Sequence, residues 1–472
     1  MILLASPAVA LPLALLLAPP ATSAPCLRPT RAGTQVQGEV RVCPGRYRIA
    51  DPQERGVIIA AASGTRIDLS GVVLESGDSL PGRYVGVGVT SRDVDGVSIL
   101  NGTVRGYRFG VRLEGGRSHR ITGGDLSGNR NEAPRSTSEA ADTADRLELA
   151  RPDVFLGYGG GLLLLRTTAA SVTGITARRG STGIGLVDTR ESYVADNDVG
   201  GNGAWGIHLW RSARNLVARN RADHTVRCIA PIDCRAAAVL LREGSDSNTV
   251  SENDLSASST GLLITGQSPL TRASIGNLVY RNDASNAVGA GYRAAYVWNL
   301  TLLENRADSA DQGIRLDHVT GAVVRGNTVI GARDAAIAAE SGRDNALEAN
   351  ALVDAPVGIR VGARGSKSVG YRIDDNIIGG AGKGIVLQAT TGSRVRGNVL
   401  DGVGDGLTVD GVGHATEVTG NVFLKVRGWF IDAPDLAAGG NFWATTDASA
   451  ASARVRGRVS VLPWRPAAAA GY

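Results

Sequence analysis

Aromatic residues make up only 4% of this 472-residue chain, it has one methionine, and just three of its 50 basic residues are lysine (Lys367, Lys383 and Lys425). Few aromatics mean that the interior is filled by small aliphatic side chains in thin layers. Without aromatics interleaved among clustered basic residues there is no nucleic-acid surface to read. One methionine and five dispersed histidines offer little soft-metal ligation, so no metal and no cofactor are expected. The 63 glycines follow no Gly-x-y period, which excludes a collagen-like chain. A calcium-binding Gly-Gly-x-Gly-x-Asp array is missing too. Beyond residue 24 no segment is long and apolar enough to span a bilayer, so no stable membrane insertion is expected.

What the chain does have is a frame. Gly206 to Asn220 reads GIHLWRSARNLVARN, and the same pattern returns as GIGLVDTRESYVADN from Gly183 and GIRLDHVTGAVVRGN from Gly313. Further copies are AIAAESGRDNALEAN from Ala336 and GIVLQATTGSRVRGN from Gly384. Looser copies start near Gly110, Gly161, Ala238, Gly261, Ala290, Gly358 and Gly406, most of them 22 or 23 residues from the next. A fixed period of this size means a solenoid whose units bury their apolar sides by stacking. Short apolar runs alternate with period two between Gly, Asn, Asp and Ser, which is strand and turn chemistry. The closing asparagines (Asn197, Asn220, Asn253, Asn282, Asn305, Asn327, Asn350, Asn376, Asn398 and Asn421) are expected to stack in a hydrogen-bonded ladder. Asn also tolerates the left-handed turn conformation, so these residues are expected to supply it.

On these repeats, over about residues 35 to 465, the chain resembles the right-handed parallel β-helix proteins of the pectin-lyase-like superfamily. The resemblance implies an all-β, single-stranded solenoid of about a dozen coils. The scaffold hosts lyases, hydrolases, epimerases, adhesins and accessory proteins, so fold does not choose among them. The repeats also resemble those of periplasmic copper-accessory β-helix proteins, without the ligand set that copper delivery would need.

Residues 1–24 read as a secretory signal, although no basic residue precedes the apolar run, and the mature protein is expected in the periplasm or outside the cell. Residues 25–60 are expected to cap the first coil, 61–440 to form the β-helix, and 441–472 to make the C-terminal cap and tail, with Trp443 and Trp464 packed on the last coil. In an oxidising compartment Cys26 is expected to pair with Cys43, and Cys228 with Cys234. Two insertions break the rhythm, Asn129 to Val154 and about ten residues around His224 to Arg235. The first has helical composition from Ala140 to Leu149, and together the two are expected to wall a groove.

Aligning the copies places residues in columns on the outer strand face. One column holds Gly185, His208, Leu240 and Leu263, the next Val187, Trp210, Arg242 and Thr265, and the third Asp188, Arg211, Glu243 and Gly266. The expected site is therefore His208, Arg211, Arg242 and Glu243 as catalytic groups, with Asp188, Trp210, His224 and Arg227 holding substrate. This set suits a uronate-containing polysaccharide. Arg211 or Arg242 would neutralise the sugar carboxylate, His208 or an arginine would take the C-5 proton, and Trp210 would stack on a ring. Arginine also suits bidentate carboxylate recognition, although a G- and C-rich genome alone would enrich it. The function expected is that of an exported polysaccharide lyase or C-5 epimerase, monomeric and acting on an acidic glycan. The alternative is a non-catalytic surface protein that binds glycan or protein. A second cluster, Arg315, Asp317 and His318 with Glu340 one coil on, shares Asp-His with the Asp-Pro-His-Asp motif of alginate C-5 epimerases but lacks its Pro and second Asp.

Overall fold

The computed structural model describes residues 26–77, 84–131, 156–227, 235–266, 272–363, 365–410, 416–445, 447–463 and 465, with 135, 140, 142, 143, 146 and 147. The signal segment, the Cys228–Cys234 pair, Trp464 and most of the insertion expected to hold a helix lie outside them.

Every strand pairs in parallel with its counterpart one turn away. Gly-Ile-x-Leu opens a six-residue strand such as Trp205–Trp210, and these strands build a sheet of 17. After a corner, a three-residue strand such as Leu216–Ala218 joins a second sheet of 15. The third side carries three strands near the start and five from Thr328–Ile330 to Val422–Leu424. Between them it shrinks to single bridging residues such as Asp198, Arg221, Asp254 and Asp283. The molecule is a right-handed parallel β-helix.

The register is the one that the repeat dictates. Ile184, Ile207, Val239, Leu262, Tyr292, Ile314, Ile337, Ile359, Ile385 and Leu407 succeed one another along a single inward column. All are essentially buried in the continuous core. A one-residue slip would turn each of them out to solvent, so burial itself fixes the register.

The helix has 17 rungs rather than about a dozen. The additional ones, Thr34–Val36, Ile58–Ala60, Val87–Arg92, Ile431–Ala437 and Val455–Ser460, lack the Gly-Ile-x-Leu frame. Of the stretch expected as a cap, only residues 26–33 precede the first rung. They are tied down by the Leu27–Val42 bridge and by a disulfide between Cys26 and Cys43. At the far end Trp443 stacks on Phe423 at 4.9 Å, fully buried. A five-residue helix, Ala448–Ser452, capped by Asp447, then leads into the last strand.

The asparagine ladder forms from Asn197 through Asn421 and runs one step further to Asn441, each Nδ2 donating to the next Oδ1 at 2.9–3.1 Å. These residues do not supply the left-handed turn, however. The preceding residue does: Asp196, Arg219, Glu252, Arg281, Glu304, Ala349 and Asp375 all have φ between 51° and 59°. The asparagine itself is thereby turned inward, where its amide bonds the ladder and a backbone carbonyl of the preceding coil. A second ladder, Asn215–Asn248–Asn277, runs along the adjoining corner.

Candidate functional site

The outward columns fall where the repeat places them. Gly185, His208, Leu240 and Leu263 are register partners, as are Val187, Trp210, Arg242 and Thr265. Trp210, Arg211, Arg242 and Glu243 also come together. Glu243 accepts from Trp210 Nε1 at 3.2 Å, from Arg211 at 3.4 Å and from Arg242 at 2.9 Å. The Arg242 guanidinium lies 4.8 Å from the Trp210 ring centre.

The expected groove floor is nevertheless covered. His208 is 0% exposed, Trp210 1% and Arg242 2%, and the whole strand Trp205–Trp210 is buried. These outward side chains belong to a second apolar cluster outside the coil. It gathers Val87, Phe109, Leu163, Val187, Leu240 and Leu263 with Leu147 from the first insertion, and Leu156 and Tyr158 pack against it. Tyr158 meets Trp205 edge-on at 5.7 Å, and the Trp205 indole donates to the Arg235 carbonyl beside the second insertion. Leu147 of the first insertion, with Leu156 and Tyr158 after it, thus covers this part of the face as a roof instead of walling it.

That changes the expected chemistry. His208 sits 4.6 Å from the Trp205 ring, and burial, reinforced by the charge of Arg242, holds its pKa well below the ordinary histidine value. It is neutral but sealed from solvent, so the role of base toward a bound sugar does not suit it. Arg242 is sealed likewise, with its charge committed to Glu243. Arg211 stays half-exposed at the rim, and Asp188 is exposed with no ion pair among the described residues. His224 lies at another corner, bonded to Asp223 at 2.9 Å. Arg227 reaches only the periphery, donating to the Gly203 carbonyl and lying 5.8 Å from the Tyr158 ring.

Past Thr265 the same face opens and turns polar. The column of Gly185, His208, Leu240 and Leu263 continues as Arg293, Arg315, Ala338 and Arg360. The arginine side chains keep 30%, 26% and 24% exposure. Arg315 Nε donates to Asp317 at 2.9 Å, and Arg293 Nε lies 3.8 Å from the same oxygen. Among the described residues nothing else bonds the two terminal nitrogens of Arg315. Arg360 grips Asp334 with two bonds of 2.9 and 2.6 Å, and Gln312 donates to Asp334 at 2.7 Å. The bond from Arg360 holds the Asp334 pKa below the usual carboxylate value. One residue past the strand ends, the rings of Tyr296 and His318 stack at 4.7 Å and 20°. Arg315, Asp317 and His318 were visible from the sequence. Arg293, Arg360, Asp334, Gln312 and Tyr296 were not, although following the same columns beyond Leu263 reaches both arginines.

Fold and site define a parallel β-helix with a covered half and an open, arginine-lined half. The family model described as "Periplasmic copper-binding protein (NosD)" matches residues 95–305, 222–370 and 301–448, and the chain belongs to that family. Among solved structures it is similar to the surface adhesin PfbA of Streptococcus pneumoniae (12% identity, 83% of this chain and 84% of that one, TM-score 0.42). It is also similar to the periplasmic alginate epimerase AlgG (13%, 81% and 85%, TM-score 0.37) and to a Yersinia enterocolitica family 28 exopolygalacturonase (12%, 83% and 71%, TM-score 0.41). No curated protein matches the sequence.

The family's description raises copper, and the donors do not fit it. His119 is buried between the Gly115 carbonyl and the Val97 amide, His208 lies under the roof, His224 pairs with Asp223, and His318 stacks on Tyr296. Cys26 and Cys43 are spent on a disulfide. Among the described residues no three His, Cys, Asp or Glu side chains are grouped to hold a metal ion. His414, Cys228 and Cys234 lie outside the described residues. No helix among the described residues is long and apolar enough to cross a membrane.

Proposed function

We propose that this protein is an exported glycan-binding β-helix whose ligand lies along the open face from Arg293 to Arg360. The observation that carries this reading is the column of arginines, about a quarter exposed, at Arg293, Arg315 and Arg360 on the strands that lead to the Tyr296–His318 stack. Successive coils rise by about 4.8 Å, so the column offers repeated contacts to an extended polymer. Planar guanidiniums suit a uronate carboxylate, since each can donate two parallel bonds to it. The terminal nitrogens of Arg315 stand ready for that, because Asp317 takes only its Nε.

A second reading, polysaccharide lyase or C-5 epimerase activity, is favoured by one feature. The stacked Tyr296 and His318 place a phenol and an imidazole one residue past the ends of the strands that carry Arg293 and Arg315. Arg315 would neutralise the carboxylate and so acidify C-5, His318 would take its proton, and Tyr296 would return one to the sugar or to the leaving oxygen. Binding by the purified protein to a panel of uronans, with Arg315→Ala beside Arg211→Ala, tests the site. Arg315→Ala should lose binding and Arg211→Ala retain it; the reverse would return the site to the roofed half. Unsaturated products, or a changed ratio of C-5 epimers, would separate enzyme from binder.

A further inference from the structure

The net charge of +5 is not spread along the axis. Residues 26–130 hold 15 arginines against 10 carboxylates, a surplus of five, and the remaining chain balances. Within that end two carboxylates are each met by three arginines: Glu75 by Arg46, Arg48 and Arg105 on the third side, and Glu114 on the long sheet. Glu114 closes the strand Phe109–Glu114, is 9% exposed, and pairs in register with Arg92 of the preceding coil. Its Oε2 accepts from Arg112 at 3.0 Å and from Arg92 at 3.3 Å, and its Oε1 accepts from Arg166 at 2.5 Å.

Three guanidiniums therefore converge on a single negative charge, drawn from two neighbouring coils and from the strand itself. Each spends one terminal nitrogen on Glu114, and among the described residues their other nitrogens have no partner. Arg112 Nε is moreover buried without a hydrogen bond. Arg92 and Arg166 stay open to solvent, their side chains 72% and 55% exposed, while Arg112 forms the floor at 25%. Elsewhere on this sheet a carboxylate meets fewer arginines: Asp334 meets Arg360, Asp317 meets Arg315 and Arg293, and Glu243 meets Arg242 and Arg211. Here two positive charges are left over within a few ångströms, a repulsion that a bound dianion would relieve.

We propose that Arg92, Arg112 and Arg166, held together by Glu114, form a binding site for a phosphate-class dianion. A phosphate monoester carries about two charges near neutral pH and presents three acceptor oxygens, which matches the surplus and the free donors; a carboxylate would neutralise only half of it. Glu114 is the positioning residue that gathers the three arginines. The group's source is free phosphate, a sugar phosphate or a phosphomonoester lipid headgroup, all of which present the same chemistry. The site lies at the far end of strands whose other outward residues, Val87, Phe109 and Leu163, enter the covered cluster, and it does not depend on the glycan reading of the open face.

The test is calorimetric titration of the full chain with inorganic phosphate at low, constant ionic strength, with chloride as the reference anion. Glucose 1-phosphate and phosphatidic acid vesicles against phosphatidylcholine vesicles follow, to distinguish the sources. Wild-type protein should bind phosphate, and the Arg92→Ala/Arg166→Ala double variant should weaken that by about tenfold or more. Arg117→Ala, an exposed arginine paired with Asp95 on a nearby corner, should change it little. Affinity for glucose 1-phosphate should also fall as pH drops below about 6, where a phosphate monoester takes up its second proton. Both substituted arginines are largely exposed, so the double variant keeps the fold, and its melting curve will verify this. Heat changes equal to those of chloride, or phosphate affinity retained by the double variant, would overturn the proposal.

Discussion

Single side chains settle matters here that composition leaves open. Asn253 is buried, and its amide donates to the Val217 carbonyl and to Asn282 while accepting from both the amide and the backbone of Asn220. Replacing it by Ala strands several buried polar atoms on two neighbouring coils. With about 1–3 kcal/mol for each group left unsatisfied, Asn253→Ala should lower the unfolding free energy by several kcal/mol in equilibrium denaturation. Asn215 and its corner ladder should behave alike, whereas an exposed left-handed neighbour such as Arg219 should tolerate Gly. The two core histidines set a pH dependence. Burial lowers the pKa of both His208 and His119 in the folded chain, so the unfolded chain binds more protons as pH falls below about 6.5. Their contribution to stability is therefore complete above that value and is lost progressively as pH drops toward the folded pKa. Denaturant midpoints from pH 7.5 down to 5 should decline, and His208→Leu should flatten part of that slope.

At the scale of strands, the outer face divides into a roofed half and an open one, and substitutions should report the difference. Trp210 stands at a position that faces solvent on a bare β-helix, yet it is buried in the outer apolar cluster. Trp210→Ala should cost about 3–5 kcal/mol, as in a protein core, whereas Arg211→Ala next to it should cost about 0.5 kcal/mol or less. Equal small losses for both would mean that the roof is not a stable part of the fold. The contrast marks the limit of what the sequence makes legible. Period-two alternation and the recurring asparagine set which residues share a column, so His208, Trp210 and Arg242 were placed correctly in register. Whether a column meets water depends on chain packed from outside, and the insertions carry no period that announces where they dock. The outward apolar run Leu163, Val187, Leu240 and Leu263 was the available signal, since a bare sheet face seldom presents so many aliphatic side chains to solvent. The rungs at Thr34, Ile58 and Val455, in the stretches expected as caps, escaped for a related reason. TQV at Thr34 and IIA at Ile58 are too short and too ordinary to stand out without the leading glycine.

For the whole molecule the sharpest question is copper, because family membership and side-chain chemistry point in different directions. Copper sites rest on imidazole, thiolate and thioether donors gathered within bonding distance of one point. This chain has one methionine, at its first residue, and five histidines, and the four described lie in four unrelated settings. His119 and His208 are sealed in two different apolar layers, and both ring nitrogens of His119 are already engaged by backbone groups. Only His224 and His318 are reachable, at different corners and about four coils apart along the axis. A β-helix is a stiff stack, so it cannot bring such distant coils together around an ion. The family's shared feature in this chain is then the repeating coil itself, a scaffold with long ladders of surface on which loops and columns can specialise. The full chain, incubated with Cu(I) or Cu(II) and desalted, should retain no stoichiometric copper by elemental analysis. Retention of one ion per chain that disappears in His224→Ala would show instead that the loop after His224 completes a site, and the donor argument would fail.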